Sequence, residues 1–297
     1  MSNEFSINKN RVAIFGAYGL LGSFLSQYLE KKSYLIFRQG RQFYSDYKLD
    51  PNDSFMVKKF LDETNPDYVV NLNAITDVDF CEDNPSIATI GNVKTVETLV
   101  KNLNQKKSHL IHISTDQVYS GNGPHREDEV NPINFYGLTK YQAEIEAKKV
   151  NGTILRTNFL GKSFSQNRSS LTDWFVKSFV SNSFISLFTD IKISAVHQEF
   201  LCSIIERSFS IKPSKTINVG CKNFITKAEL AIQLSKALNF DFKNYKLTSN
   251  KNILRSAPRP EDMSLDTLKF NNIFNQESPL IEETINLLKK DYEKIAA

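Results

Sequence analysis

Through the first half of the chain, short apolar runs at residues 12–15, 34–37, 68–72, 109–113 and 153–155 alternate with longer stretches at 20–31, 86–103 and 136–150. The long stretches carry apolar positions at the spacing of one helix face, and the short runs have the length of buried strands. Strand and helix in strict alternation predict parallel strands joined by crossover helices, an α/β fold with a doubly wound parallel sheet. Pro66, Pro85 and Pro132 punctuate the pattern. After about residue 156 the rhythm breaks into a helix near 172–180, a strand near 185–188, helices from 196 and 226, and a terminal helix from 277. The expected organisation is a first domain over 1–157 and a smaller C-terminal α/β lobe over 158–297. No Gly- or Ser-rich linker separates them, so the two should pack tightly.

With 297 residues and 40% apolar content the chain can bury a sizeable core, so disorder is not expected. It has no run of eighteen apolar residues, and residues 1–11 are polar and lead straight into the first strand. Neither a membrane span nor a secretory signal is expected, and the expected location is the cytoplasm. Cys81, Cys202 and Cys221 are odd in number and widely spaced, which reads as reduced structural thiols rather than a disulfide framework or a zinc site. The net charge of +4 is spread along the chain, with the pairs Lys106-Lys107, Lys148-Lys149 and Lys289-Lys290 on helix faces toward solvent. That pattern argues against a nucleic-acid partner and suits a small polyanion such as a dinucleotide.

Such a ligand has a candidate seat in RVAIFGAYGLLG (11–22), where Gly16, Gly19 and Gly22 fall between the first strand and the first helix. A tight turn at Gly16, close approach to a diphosphate at Gly19 and close helix packing at Gly22 all require the missing Cβ, and the helix N-terminus offers N–H groups to phosphates. This placement predicts a Rossmann-like site. An NAD site would carry an acidic residue after the second strand, but residues 31–45 contain no Asp or Glu. Arg38 and Arg41 stand there instead, where a guanidinium can pair with a 2′-phosphate, so NADPH is favoured over NADH.

Tyr136 and Lys140 lie four residues apart at the start of a helix, on one face. An ammonium beside a phenol favours the phenolate, and Lys140 is expected to lower the Tyr136 pKa and to hold the nicotinamide ribose. The strand 109–113 runs into Ser114-Thr115-Asp116, which puts the Thr115 hydroxyl at the carboxyl end of a central strand, where ligands bind in open sheets. Thr115 can hydrogen-bond a ketone oxygen that Tyr136 protonates while hydride arrives from the nicotinamide. This chemistry needs no metal. His109, His112, His125 and His197 read as packing or surface residues.

With these residues in place, the chain resembles the dTDP-4-dehydrorhamnose reductase family, a branch of the extended short-chain dehydrogenases. The likeness spans nearly the whole length: FGAYGLLG, then DYVVNLNAITDVDFCE (67–82), HISTDQVYSGNGPHREDEVNPINFYGLTK (112–140), LRTNF (155–159) and RPEDMSLDTLKF (259–270). The resemblance implies a catalytic set of Thr115, Tyr136 and Lys140, with Gly19, Leu20 and Leu21 against the cofactor phosphates. It implies Asp50 at the adenine, Asn73, Ala74 and Thr76 along the cofactor, Asp116 at the sugar, and Arg259 by the substrate cleft. The implied activity is reduction of a nucleotide-linked 4-keto-6-deoxysugar in deoxysugar or surface polysaccharide biosynthesis, with the first domain holding NADP and the lobe holding substrate.

The sequence departs from the family in two places. Rhamnose-forming members carry a tryptophan against the sugar in an RTSW motif, where this chain has Asn158 and Phe159; and where they often read NAA, it reads Asn71-Leu72-Asn73-Ala74. Phe159 can still face a deoxyhexose methyl but lacks the indole donor. The family allows a homodimer. Some members bind Mg²⁺ when they dimerise, and no carboxylate cluster here supports that. Two alternatives stay open: a nucleotide-sugar epimerase or dehydratase, opposed by the missing acid after strand two and by Gln117 where a dehydratase wants an acidic pair; and a non-catalytic NADP-binding regulator similar to the methionine adenosyltransferase regulatory subunit, which would not require a proton donor.

Overall fold

The computed structural model describes residues 10–105 and 107–296, with side chains through 294. The segment before residue 10 and Lys106, both read above, lie outside the described residues. Six strands of the first half form one sheet: β1 (Arg11–Phe15), β2 (Leu35–Gly40), β3 (Tyr47–Lys48), β4 (Tyr68–Asn71), β5 (His109–Thr115) and β6 (Gly152–Thr157). All pairings are parallel, and a seventh strand, Thr216–Val219, extends the sheet beyond β6. The order from that edge is Thr216–Val219, β6, β5, β4, β1, β2, β3. The chain reverses direction across the sheet between β1 and β4, so a crevice opens above their carboxyl ends.

Alternate side chains of a strand face opposite sides, and β1 divides accordingly. Val12 and Ile14 pack with Leu25 and Leu29 of helix α1 (Leu20–Lys31) and with Leu201 and Ile205 of the helix Gln198–Ile211. Ala13 and Phe15 pack on the other side with Val57 and Phe60 of α2 (Ser54–Thr64) and with Val96, Leu99 and Ala143. The remaining helices of this half are α3 (Val78–Asp83), α4 (Pro85–Thr89), α5 (Thr95–Asn102) and α6 (Phe135–Ala147).

The expected doubly wound sheet is present. The division at residue 157 is crossed, however: the edge strand Thr216–Val219 comes from beyond it, and the core that holds Val12 and Ile14 continues through Leu187, Ile193 and Leu230. The stretch 86–103 is helical but interrupted, because a π turn at Ile90–Lys94 joins α4 to α5. The terminal helix begins at Ile281 rather than at 277, beyond Pro279. Lys107 sits in a turn, where its Nζ donates to Asn65 O at 2.9 Å, and is not on a helix. The sequence pattern passed over α2, whose start is fixed by Asp53 Oδ1 accepting from Phe55 N at 3.0 Å and Met56 N at 3.1 Å. The three cysteines are buried and free, and among the described residues no helix is long and apolar enough to cross a membrane.

Candidate active site

The glycine loop leaves β1 and turns at Gly16, whose φ of +79° favours glycine. A Cβ at Gly22 would overlap the Gly16 carbonyl and stand 2.8 Å from Ala17 Cα, so α1 can sit this close to the loop only with glycine there. The buried side chain of Gln39, at the end of β2, fixes the turn from behind. Its Oε1 accepts from Gly16 N at 3.1 Å and from Asn73 Nδ2 at 3.3 Å, while its Nε2 donates to Leu49 O at 2.9 Å. One amide thus sets the glycine loop, the end of β3 and the loop after β4 relative to one another.

Tyr136, Lys140 and Glu144 follow one another along one face of α6, and all three are buried. Asn134 caps this helix, its Oδ1 accepting from Gly137 N at 2.8 Å and its Nδ2 donating to Gln117 Oε1 at 3.1 Å. A Cβ at Gly137 would overlap Gln117 O, so glycine lets α6 press onto the turn that follows β5. Tyr136 is thereby brought beside Thr115. On the opposite flank Asn92, within the π turn, accepts from Ile75 N at 2.6 Å and donates to Ile75 O at 3.1 Å and Thr139 Oγ1 at 3.0 Å. It ties the loop carrying Asn73, Ala74 and Thr76 to the same helix. The interruption in 86–103 therefore positions an amide that the periodicity alone did not reveal.

A cleft of about 440 Å³ runs over the crevice. The glycine loop with Leu20 and Leu21, Arg41, and Asn73, Ala74 and Thr76 line it on one side; Thr115, Asp116, Tyr136, Lys140, Asn158 and Phe159 line it on the other. Three residues expected at the site do not line this cleft. Arg38 is committed to Glu30 and to Asp46, with Nη1 3.1 Å from Asp46 Oδ2. Those two acids stand just outside either end of the acid-free stretch 31–45, and the fold returns both to Arg38. Asp50 is exposed in the turn before α2, where Oδ1 accepts from Asn52 N at 3.0 Å. Arg259 grips Asp79 of α3, with Nη2 2.7 Å from Oδ2, and so pins its own segment to that helix.

Burial pushes the Tyr136 phenol above its ordinary value; the Thr115 hydroxyl pulls it back and the charges of Asp116 and Cys81 raise it further. The expected lowering by Lys140 is not found in this state. The Lys140 ammonium donates to Ile113 O at 2.7 Å, and burial brings its own pKa down to about 8. Tyr136 therefore stands as a protonated phenol, the form a proton donor needs. The Thr115 hydroxyl donates to Asp116 Oδ1 at 3.1 Å, and Asn158 Nδ2 donates to Asp116 Oδ2 at 2.8 Å. Lys227, which the sequence reading missed, interacts electrostatically with Asp116 and, repulsively, with Arg255 and Arg259, which makes the ground beyond Asp116 basic.

Burial raises the Asp116 carboxyl from 3.8 to about 6, against hydrogen bonds from Asn158 and Thr115 that lower it. Between those values the folded state binds more protons than the unfolded chain, so this group's contribution to stability is full below 3.8 and is lost as pH rises through about 6. Asp116→Asn is expected to remove that fall, as read by denaturant unfolding from about pH 4 to about pH 7. A fall of the same size in the variant would assign it to another group.

His112 is buried, with Nδ1 3.1 Å from Asn71 Nδ2 and Nε2 without a partner among the described residues, and its pKa lies well below the ordinary value through burial and the Lys140 charge. His125 is a packing residue: its ring stacks on Tyr119 and its Nε2 lies 2.9 Å from Asp262 O. Among the described residues no group of three or more His, Cys, Asp or Glu is placed to hold a metal ion.

A glycine-cradled crevice above a parallel sheet, with a buried Tyr and Lys one helical turn apart facing it, is the arrangement of the extended short-chain dehydrogenase/reductase class. The chain belongs to the family described as RmlD substrate binding domain, whose model matches residues 10–293. Among curated proteins it is 25% identical over 291 residues to a probable low-salt glycan biosynthesis reductase of Haloferax volcanii, covering 93% of this chain and 96% of that one. It is 27% identical over 284 residues to the methionine adenosyltransferase 2 subunit beta of Bos taurus, covering 90% and 83%. The crystal structure of dTDP-4-dehydrorhamnose reductase from Bacillus anthracis in complex with NADP superposes with a TM-score of 0.86 at 23% identity, over 94% of this chain and 98% of that one, which shows a shared fold.

Proposed function

We propose that the protein is an NADPH-dependent reductase of a nucleotide-linked 4-keto-6-deoxysugar, working in deoxysugar or surface polysaccharide biosynthesis. The observation that carries this reading is that buried Tyr136 and Lys140 face the same cleft as the glycine loop. The turn at Gly16 and the close packing that Gly22 allows bring the N-terminus of α1 to the cleft, where its N–H groups fit a dinucleotide diphosphate. When bound, NADPH supplies the hydride. Tyr136 delivers a proton to the substrate oxygen, Thr115 turns its hydroxyl from Asp116 to that oxygen, and Lys140 exchanges Ile113 O for the nicotinamide ribose while its charge stabilises the phenolate left behind. Asp116 and Asn158 meet the sugar hydroxyls, and the basic ground of Lys227, Arg255 and Arg259 suits the diphosphate of the nucleotide.

Arg41 is the arginine available to a 2′-phosphate, since Arg38 is paired with acids. A hydrogen bond to a charged group contributes about 1.5–3 kcal/mol. Arg41→Ala is therefore expected to weaken NADPH binding about tenfold or more while NADH binding stays nearly unchanged, as read by nicotinamide fluorescence. Equal loss for both cofactors would remove Arg41 from the 2′-phosphate.

Incubation with NADPH and a panel of dTDP-, UDP- and GDP-linked 4-keto-6-deoxysugars tests the reading as a whole. It requires loss of NADPH absorbance with at least one sugar. NADPH binding with no turnover on any sugar would favour the second reading, a regulatory subunit, which the likeness to the Bos taurus protein over 90% of this chain supports.

A further inference from the structure

Residues 161–170 connect the strand Phe159–Leu160 to the helix Leu171–Val180, and no sequence motif marks them. Their two ends are fixed on the second lobe. Lys162 N donates to Asp291 Oδ2 at 3.0 Å, and Ser170 and Asp173 cap the helix reciprocally, with Tyr292 Oη donating to Asp173 Oδ1 at 2.6 Å. The middle of the segment crosses to the first domain. Ser165 Oγ donates to Tyr18 O of the glycine loop at 2.9 Å, Asn167 Nδ2 donates to Tyr44 Oη at 2.9 Å, and Arg168 Nη1 reaches Thr76 Oγ1 at 3.4 Å. Ser165, Asn167 and Arg168 all line the cleft.

Charge singles out Arg168. The Lys and Arg side chains that line the cleft are Arg41, Lys140 and Arg168. Lys140 holds Ile113 O here and is assigned above to the nicotinamide ribose, and Arg41 lies beside Gly40 and Gln42 at the end of β2. Arg168 is exposed, no carboxylate among the described residues pairs with it, and its segment touches the glycine loop where a dinucleotide carries its diphosphate. The contacts that hold the segment across the cleft are these three hydrogen bonds, one of them part-buried, and the edge-on packing of Phe164 against Phe24 of α1, few enough for the segment to open and admit the ligand.

We propose that residues 161–170 form a latch over the bound dinucleotide, and that Arg168, supplied by the second lobe, pairs with its diphosphate opposite the N–H groups of the glycine loop. This inference rests on the dinucleotide reading above. It makes the second lobe part of the cofactor site and makes cofactor release depend on the latch opening.

Stopped-flow fluorescence of NADPH with the native protein, Arg168→Ala, Arg168→Lys and Asn167→Ala tests it, with adenosine 2′-monophosphate, which lacks the diphosphate, as the control ligand. Arg168→Ala should release NADPH about tenfold faster or more, Arg168→Lys should fall between it and the native protein, and Asn167→Ala should also speed release. Adenosine 2′-monophosphate should bind the native protein and Arg168→Ala alike. Native release rates in Arg168→Ala would overturn the latch while leaving the cofactor reading intact, and so would an equal loss of the monophosphate. A native protein that binds no NADPH would remove both.

Discussion

Tyr136→Phe is expected to lower kcat for NADPH-dependent ketone reduction by about 10²–10⁴-fold, the range for loss of a positioned general acid, while the dissociation constant for NADPH barely changes. The ring is buried against Val78, Cys81, Ala88 and Ala257, and phenylalanine keeps those contacts, so the lost hydroxyl is the only chemical difference. The discriminating measurement is kcat and NADPH affinity side by side. A variant that still turns over at the native rate would place the proton donor elsewhere, and one that also loses NADPH would indicate a structural rather than a chemical role. Lys140 is a poorer first target, because its Nζ also donates to the buried Ile113 O and its removal takes that hydrogen bond away.

Arg156→Met is expected to destabilise the protein by about 3–5 kcal/mol, the cost of leaving a buried charge without its partner. Arg156 is 1% exposed, with Nε 2.8 Å from Glu144 Oε1 and Nη2 2.6 Å from Oε2, and its Nη1 donates to Tyr119 Oη at 2.7 Å and Glu127 O at 2.8 Å. Glu144 lies one turn beyond Lys140 on α6 and also accepts from Ser114 Oγ at 2.6 Å, next to Thr115. The pair thus fastens the helix that carries Tyr136 to β5 and β6. Solvent-exposed pairs such as Lys58 with Asp62 contribute far less, since water already screens them. Denaturant unfolding with an unchanged slope checks the size of the effect, and adding Glu144→Gln should restore part of the loss by removing the orphaned charge. Unfolding at the native midpoint would mean that the pair contributes little net stability.

How much of this was legible in the sequence follows from which interactions are local. Strand and helix alternation is a local signal, and it led to the sheet and to α1 and α6 within a few residues. Gly16, Gly19 and Gly22, and the i,i+4 pair Tyr136 and Lys140, are likewise fixed by spacing within one element. Arg38 shows where local reading ends: its pairing with Glu30 and Asp46 depends on how α1 and the chain before β3 return to β2, which no window of sequence displays. Arg259 and Asp79 are 180 residues apart, and Lys227 and Asp116 likewise come from distant parts of the chain. Arg168 escaped notice for the same reason, because only the folded segment carries it over the glycine loop. The strand Thr216–Val219 is too short and too ordinary to announce that it joins a sheet built from the first half.

The most direct test of the central claim is to follow the label from NADPH deuterated on its transferable position into a nucleotide-linked 4-keto-6-deoxysugar, by mass spectrometry and NMR of the product. Deuterium bonded to C4 of the reduced sugar, formed by the native protein and not by Tyr136→Phe, is the predicted result. Tight NADPH binding with no deuterium on any sugar of the panel would contradict the account and leave a dinucleotide-binding protein without this chemistry.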